Sequence, residues 1–449
     1  MAIPKEHQGR FVYHFTHIDN LPRILKDGFV SNSHPKFKKS LCRSIAEPGI
    51  QARRAAMDVT CSPFGKVHDY VPLYFGSLSP MLLGVVNRKN VDQMDILYFE
   101  FPITLLERNT VVFTDASANT GEPPSFYSEI KDLENLNWME IDSKRWKCDS
   151  DELRHQRMAE ILVHSQLAVT DATSVVVWND SVKRRVEEIV KKAGAAFPTI
   201  SFESPQRRHW FINFFDKGGR NKASLVIGPG EIATRYRAAS EEVVEKANKS
   251  EDAPFQSLSK LLDALRTDFS VLPQTAELIG LKSANGMHKR TVDVHTQEVV
   301  NKLKSLPEFK ALTQKQRNTL ELAALLHDIG KGPKSRWTGG VQEVDPDHPV
   351  GALPMLVDIL TNKVATVEVD RALLLLKLVC YHDLVGEVLG KGRNEQQIID
   401  IVDSQIELDM LFALGKADAR SLVDLWFNDA KSKDLYDRCL PKIEMKQGI

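Results

Sequence analysis

Strand-type runs crowd the first half of this chain and all but vanish from the second. Neither a single sheet nor a single bundle accommodates that change of texture. Residues 71–75, 96–101, 110–114 and 174–178 are rich in β-branched and aromatic side chains and are bounded by turn formers. Between them 20–26 and 181–193 read as helices, the second with apolar positions at Val182, Val186, Ile189 and Val190. From about 256 onward the periodicity is helical, over 256–270, 289–306, 313–329, 350–363, 367–382 and 394–414. The pattern predicts an α+β chain: a mixed, antiparallel-leaning sheet domain over 1–216, a helical connector over 217–274, and an all-α bundle over 275–449. Turn signals at 216–221 and 228–230 and a polar stretch at 248–254 mark the seam.

Composition narrows the class. A chain of 449 residues has room for two or three domains, and 42% hydrophobic with 27% charged residues is ordinary for a globular protein. The longest apolar runs, such as 81–86, fall well short of the roughly 18–20 residues that span a bilayer. Lys5, Glu6 and Arg10 interrupt any signal-peptide core. Five cysteines (Cys42, Cys61, Cys148, Cys380, Cys439) never form a C-x-x-C pair, which points to free thiols and a cytoplasmic location. A net charge of −1 gives no bulk support for nucleic-acid binding, so such contact has to come from local patches. The run Lys36, Lys38, Lys39, Arg43, Arg53, Arg54 is one candidate, with a solvated loop as the plain alternative.

In the second half, Leu325-Leu326-His327-Asp328-Ile329-Gly330-Lys331 closes an apolar helix. An adjacent imidazole and carboxylate can reach one cation, and Gly330 suits a helix C-terminus. The dipeptide alone says little, since His68-Asp69 and His382-Asp383 occur as well. The order of the other ligand-type residues says more: His295 on a preceding helix, then His348, His382 and Asp418. Over about 275–430 the chain resembles the HD-superfamily phosphohydrolases, whose signature is H…HD…D on a helical bundle. The resemblance makes His295, His327, Asp328 and Asp418 the core metal ligands, and His348 and His382 the holders of a second ion. It implies one or two divalent ions (manganese, iron, nickel or magnesium) that activate a water against a phosphate ester. Lys331 is open to two readings, a contact to substrate phosphate or a cation complementing the helix dipole.

The first half carries three polar blocks: Tyr13-His14-Phe15-Thr16-His17 with Asn20, the pair Arg53-Arg54 ahead of H-D-Y-V-P-x-Y-F at 68–75, and Ala159-Glu160-Ile161-Leu162-Val163. A glutamate in a buried strand is out of place unless it works or is paired. A carboxylate beside a breaking glycosidic bond stabilises an oxocarbenium-like centre. With S-P-M-L at 79–82, V-F-T-D at 112–115, Tyr127, Asn137-Trp138 and Trp210-Phe211, these blocks resemble the DarT family of DNA ADP-ribosyltransferases over about 11–215.

The resemblance implies the NAD-binding fold of the poly-ADP-ribosylating and toxin-type transferases, NAD as substrate, and single-stranded DNA as acceptor. Glu160 matches the catalytic glutamate. Arg54 matches the essential arginine and clamps the NAD pyrophosphate, with Arg53 as the fallback. His17 holds the nicotinamide-side ribose, and Thr16 and Asn20 line the same pocket. Tyr74 and Phe75 flank the nicotinamide or are core strand residues. One departure stands out: family members often carry a histidine two residues after the F-T-D aspartate, and here Asp115 is followed by Ala116 and Ser117.

The expected function is therefore an NAD-dependent ADP-ribosyltransferase of a base in DNA, of toxin or anti-phage type. It is fused to a metal-dependent phosphohydrolase that regulates or reverses it, in place of a separate cognate antitoxin, or hydrolyses nucleotides. The alternative is an RNA- or tRNA-processing enzyme of the 2′-phosphotransferase kind with an HD phosphatase. A third reading makes the HD half a nucleotide sensor only.

Overall fold

The computed structural model of the chain describes residues 2–38, 45, 48–119, 122–145, 147–204, 206–211, 226–250, 252–284, 290–343, 345–422, 427–446 and 448. Lys39, Cys42 and Arg43 and the turn signal at 216–221 lie outside the described residues. The chain forms two compact units, Met1–Gly228 and Pro229–Ile449. No helix among the described residues is long and apolar enough to cross a membrane.

The first unit is built on an eight-stranded sheet. Its strands are β1 (Phe11–His17), β2 (Tyr70–Tyr74), β3 (Ile96–Pro102), β4 (Val111–Thr114), β5 (Phe126–Tyr127), β6 (Glu160–His164), β7 (Ser174–Val177) and β8 (Thr199–Phe202), in the spatial order β8-β7-β3-β1-β2-β6-β4-β5. Every pairing is antiparallel except β7 with β8. β3 is buried along almost its whole length, as its unbroken run of apolar and aromatic residues requires. Its one charge, Glu100, is fully covered and is met by His209 at 3.2 Å, Arg207 at 3.0 Å and the Ser174 hydroxyl.

The sheet parts in the middle. β1 pairs with β3 at all seven of its residues, but with β2 only where Tyr13 faces Tyr74. The His14 ring spans the gap to the Pro72 carbonyl at 2.8 Å. Just beyond β1 the chain turns into the helix Leu21–Asp27, which ends at Gly28 with a positive φ of 74°. The helix Asp180–Ala193 begins at Asn179, whose side chain accepts from Val182 N–H at 3.0 Å, and stops at the left-handed Gly194.

The second unit is helical, with only two- and three-residue strands among its described residues. Pro229–Lys246 and Leu258–Thr267, from the segment expected as a connector, belong to it. Two expectations change in detail. The helix expected over 350–363 holds from Leu353 to Asp358 and then widens into a π turn at Ile359–Lys363. The one expected over 394–414 is two helices, Gln396–Ile401 and Gln405–Leu422. Ser404 caps the second on the Glu407 N–H at 3.3 Å, while Asp403 is held by Lys377 at 2.6 Å. The helix Gln314–Leu326 opens on a reciprocal Thr313/Gln316 capping box.

Gly330 earns its place by close approach rather than as a helix cap. Its φ is not positive, and a Cβ there would lie 2.0 Å from the His348 carbonyl oxygen and 2.7 Å from the Ala352 nitrogen. The absent side chain lets the turn after His327-Asp328 touch the helix His348–Gly351. Gly330→Ala is therefore expected to destabilise the unit by about 3 kcal/mol or more, read as a lowered urea midpoint with an unchanged slope.

Candidate functional site

In the first unit Glu160 opens β6, in register with Tyr74 of β2, and is 1% exposed. Its carboxylate accepts from both terminal nitrogens of Arg54, at 2.8 and 2.9 Å, and from the Ala118 N–H at 2.9 Å. The backbone N–H of Glu160 donates to the Thr114 hydroxyl at 3.1 Å. Arg54 comes from the helix Pro48–Ala56. Burial works against its charge, but Glu160 prevails and holds the guanidinium above its ordinary value. A buried carboxylate needs such a fork, and the bidentate pair is the strong form of it. Arg53, one residue earlier, reaches outward to the Asn119 carbonyl at 2.9 Å. The turn before Glu160 is pinned by a second buried pair, Arg157 with Glu140 at 2.8 Å.

Thr16, His17 and Asn20 form a separate buried group where β1 runs into its helix. Asn20 Nδ2 donates to the Thr16 hydroxyl at 3.0 Å, His17 Nδ1 accepts from the Asp19 N–H at 3.1 Å, and His17 Nε2 lies 3.8 Å from Asp95. Tyr74 stands on the strand between this group and Glu160, half-buried. It is stacked on Phe15 at 5.8 Å, with its hydroxyl on the Met81 sulfur and its ionisation pushed up by burial. Phe75 packs edge-on against Phe113 and Trp138, at 6.0 and 5.4 Å, as part of the core.

Sequence reasoning did not anticipate a cavity of about 560 Å³ beside this pair, lined by Arg53, Arg88, Arg154, His155, Asn119 and apolar residues, with no carboxylate. The R-H-Q-R run at 154–157 was its visible signal. The Ser117 N–H, at the position of the missing histidine, donates to the His155 carbonyl at 3.0 Å.

In the second unit five of the six residues expected as ligands line one cavity of about 590 Å³, and the sixth, His327, is buried behind it against Asp328. His295 lies on Val292–Ser305, His327-Asp328 follow Gln314–Leu326, His348 opens His348–Gly351, His382 follows Val369–Cys380, and Asp418 lies on Gln405–Leu422. Each imidazole is aimed by its other nitrogen. Nδ1 meets the Ala324 carbonyl from His327 (2.7 Å), the Asp345 carbonyl from His348 (2.8 Å), the Val379 carbonyl from His382 (2.8 Å), and the Ser421 hydroxyl from His295 (3.0 Å). A ring that gives its Nδ1 proton to a carbonyl presents a lone pair at Nε2.

Asp328 sits at the centre. Its Oδ2 lies 3.3 Å from His327 Nε2 and 3.7 Å from His295 Nε2, and its Oδ1 lies 3.2 Å from His348 Nε2. Asp418 meets His295 Nε2 at 3.0 Å. The Nε2 of His327 and the Oδ1 of Asp328 are buried in these contacts without hydrogen-bond geometry, orphans that a cation would satisfy. The donor set of imidazole nitrogens and carboxylate oxygens thus fits a first-row divalent ion. Lys331 donates to Asp328 Oδ2 at 2.6 Å while lining the cavity.

Two outcomes follow. Arg54→Ala strands a buried carboxylate and is expected to lower stability by about 3–5 kcal/mol, seen in chemical unfolding; Glu160→Gln should cost less. Burial disfavours the His327 cation, but Asp328 overrides it and pushes the group up to about 9. In the metal-free protein at pH 7.5 this ring carries a proton that a metal must displace. Metal affinity should therefore rise with pH toward 9, and calorimetry in buffers of different ionisation enthalpy should show about one proton released.

Family models match both units: DarT, described as ssDNA thymidine ADP-ribosyltransferase, over residues 13–212, and the HD domain over 292–404. A DNA ADP-ribosyl transferase of Thermus sp. (strain 2.9) is 32% identical over 186 residues, spanning 40% of this chain and 87% of that protein. One from Escherichia coli O127:H6 is 25% identical over 192 residues, 40% of this chain and 86% of its own length. A DNA ADP-ribosyl transferase–DNA ADP-ribosyl glycohydrolase fusion protein of Thermosipho africanus is 26% identical over 155 residues, 34% of this chain and 39% of that one. Among solved structures, Thermus sp. 2.9 DarT in complex with ADP-ribosylated ssDNA matches with a TM-score of 0.41 and 29% identity, covering 46% of this chain and 99% of that one. Through its first unit the chain belongs to the DarT family, and in its second it carries an HD domain.

Proposed function

We propose that the first unit transfers ADP-ribose from NAD to a base of single-stranded DNA. The observation that carries this reading is the buried Glu160 carboxylate, held by Arg54 and the Ala118 N–H next to a cationic cavity. The glycosidic bond of NAD breaks with its electron pair leaving on nicotinamide. The positive character left on the ribose carbon is stabilised by the Glu160 carboxylate, and the acceptor base forms the new bond as its proton passes to that carboxylate. Arg54 holds the Glu160 carboxylate in place through both terminal nitrogens, so its first role is on Glu160 rather than on the pyrophosphate. His17, with Thr16 and Asn20, holds the ribose side of NAD. Arg53, Arg88 and Arg154 give a polyanionic acceptor a cationic surface, with Arg154 also meeting the exposed Asp151 at 3.2 Å. The family description and the names of the relatives support DNA over RNA as acceptor, and a base adduct that blocks replication fits a toxin.

The second unit, in this reading, is a metal-dependent phosphohydrolase. A bound divalent ion would supply a water activated for attack on phosphorus and offset charge on the ester. His295, His327, Asp328 and Asp418 would hold it, with His348 and His382 beside them, and Lys331 is placed to meet a substrate oxygen. Its role is to oppose the transferase within the same chain. The Thermosipho relative, named as a transferase joined to a glycohydrolase, supports such a pairing.

The test is labelled NAD incubated with the protein and, separately, single-stranded DNA, duplex DNA, RNA and bulk protein. Label is expected on single-stranded DNA alone, reduced about 10²–10⁴-fold by Glu160→Ala. Label on RNA would move the acceptor, and no label would refute the transferase reading. In cells, a chain carrying His327→Ala and Asp328→Ala should be more toxic than the parent; equal toxicity would refute opposition.

A further inference from the structure

The second His-Asp dipeptide of the bundle, His382-Asp383, meets the same centre as the first. Asp383 stands at the N-cap of the helix Leu384–Lys391, where an aspartate ordinarily accepts from the backbone of the first turn. Its side chain makes no such bond. The carboxylate turns into the cavity instead, with Oδ1 3.6 Å from His382 Nε2 and Oδ2 3.8 Å from His348 Nε2.

Those two imidazoles pose a problem that only a positive charge solves. Each places Nδ1 on a backbone carbonyl at 2.8 Å, so their Nε2 lone pairs face one another across 3.2 Å. The buried Asp328 Oδ1, which meets no hydrogen-bond geometry, lies 3.2 Å from the one and 3.9 Å from the other. Donors bound to a common first-row ion at about 2.1 Å are roughly 3.0–3.4 Å apart. The five separations that involve an imidazole, His348 to His382 and each imidazole to Asp328 Oδ1 and to an oxygen of Asp383, therefore lie between 3.2 and 3.9 Å.

We propose that Asp383 is the fourth protein ligand of a second divalent cation, shared with His348, His382 and the Oδ1 of Asp328. Asp328 bridges the two ions, one oxygen to each. Asp383 also approaches Asp418, but His382 has a single nitrogen left to give. A site made with Asp418 would dispense with His348, whereas the proposed one requires it. The Asp383 side chain is 30% exposed and lines the cavity. The inference deepens the metal-dependent reading of the unit, but its test does not require any hydrolytic activity.

The full-length chain is stripped with chelator, reloaded with Mn²⁺ and counted by plasma mass spectrometry, with electron paramagnetic resonance reporting exchange coupling between paired ions. The parent should hold two ions with a coupled signal. Asp383→Ala and His348→Ala should hold one uncoupled ion at the parent's first-site affinity, with the second weakened at least tenfold, and Asp383→Glu should regain it. Asp383→Asn, close in shape, guards against misfolding, and matching circular dichroism melts confirm it. The proposal falls if the parent binds one ion, if Asp383→Ala and Asp383→Asn keep the second within twofold, or if His348→Ala retains the pair. Two ions without any phosphatase activity would sink the hydrolase reading and leave this one standing.

Discussion

Each unit is organised around a carboxylate that has been taken almost wholly out of water. Glu160 and Asp328 are each 1% exposed, and a lone charge at that depth carries a penalty of several kcal/mol. The remedies differ. Glu160 is met by donors only, a guanidinium fork and a backbone N–H, so its charge is balanced before any substrate arrives. Asp328 is met on one oxygen by Lys331 and the protonated His327, while its other oxygen faces the inward nitrogen of His348 and has no hydrogen-bond partner. One site is pre-balanced and must exchange partners to work. The other is completed from outside.

The backbone around each carboxylate serves that placement. In the first unit β2 lies between β1 and β6, so the parting of β1 from β2 separates the Thr16–His17–Asn20 group from Glu160 while Tyr74 stays in register with both sides. In the second unit small residues do the corresponding work. Gly330 admits the His348 carbonyl, and Gly415 brings the helix bearing Asp418 against Val385 and the His382 carbonyl. Histidines and aspartates from five separate segments gather around one cavity because their helices can approach this closely.

Much of this was legible in the residues. The fading of strand signals separated sheet from bundle, the misplaced glutamate marked β6, and the order of histidines and aspartates picked out six residues that lie close together in the second unit. What escaped was long-range partner choice. No spacing rule says that Arg54 spans the sheet to Glu160 while Arg53 turns away, or that a carbonyl three residues upstream aims each of His327, His348 and His382. Asp383 was passed over because His-Asp pairs recur by chance and an aspartate before a helix already has a reason to be there. The same ambiguity hid the purpose of Gly330, which a helix end would explain equally well in one dimension. The break at Ser404 was invisible because apolar periodicity runs through it.

The positions of these groups along the chain also set a timetable for synthesis. Arg54, Ala118 and Glu160 all leave the ribosome in the first half, whereas Asp418, which closes the ring around His295, comes nearly last. The 190 residues from Gly228, where the first unit ends, to Asp418 take on the order of 10–40 s to make. For that interval each nascent chain can have its first unit complete while its second cannot close, so the two sites always come into being in the same order.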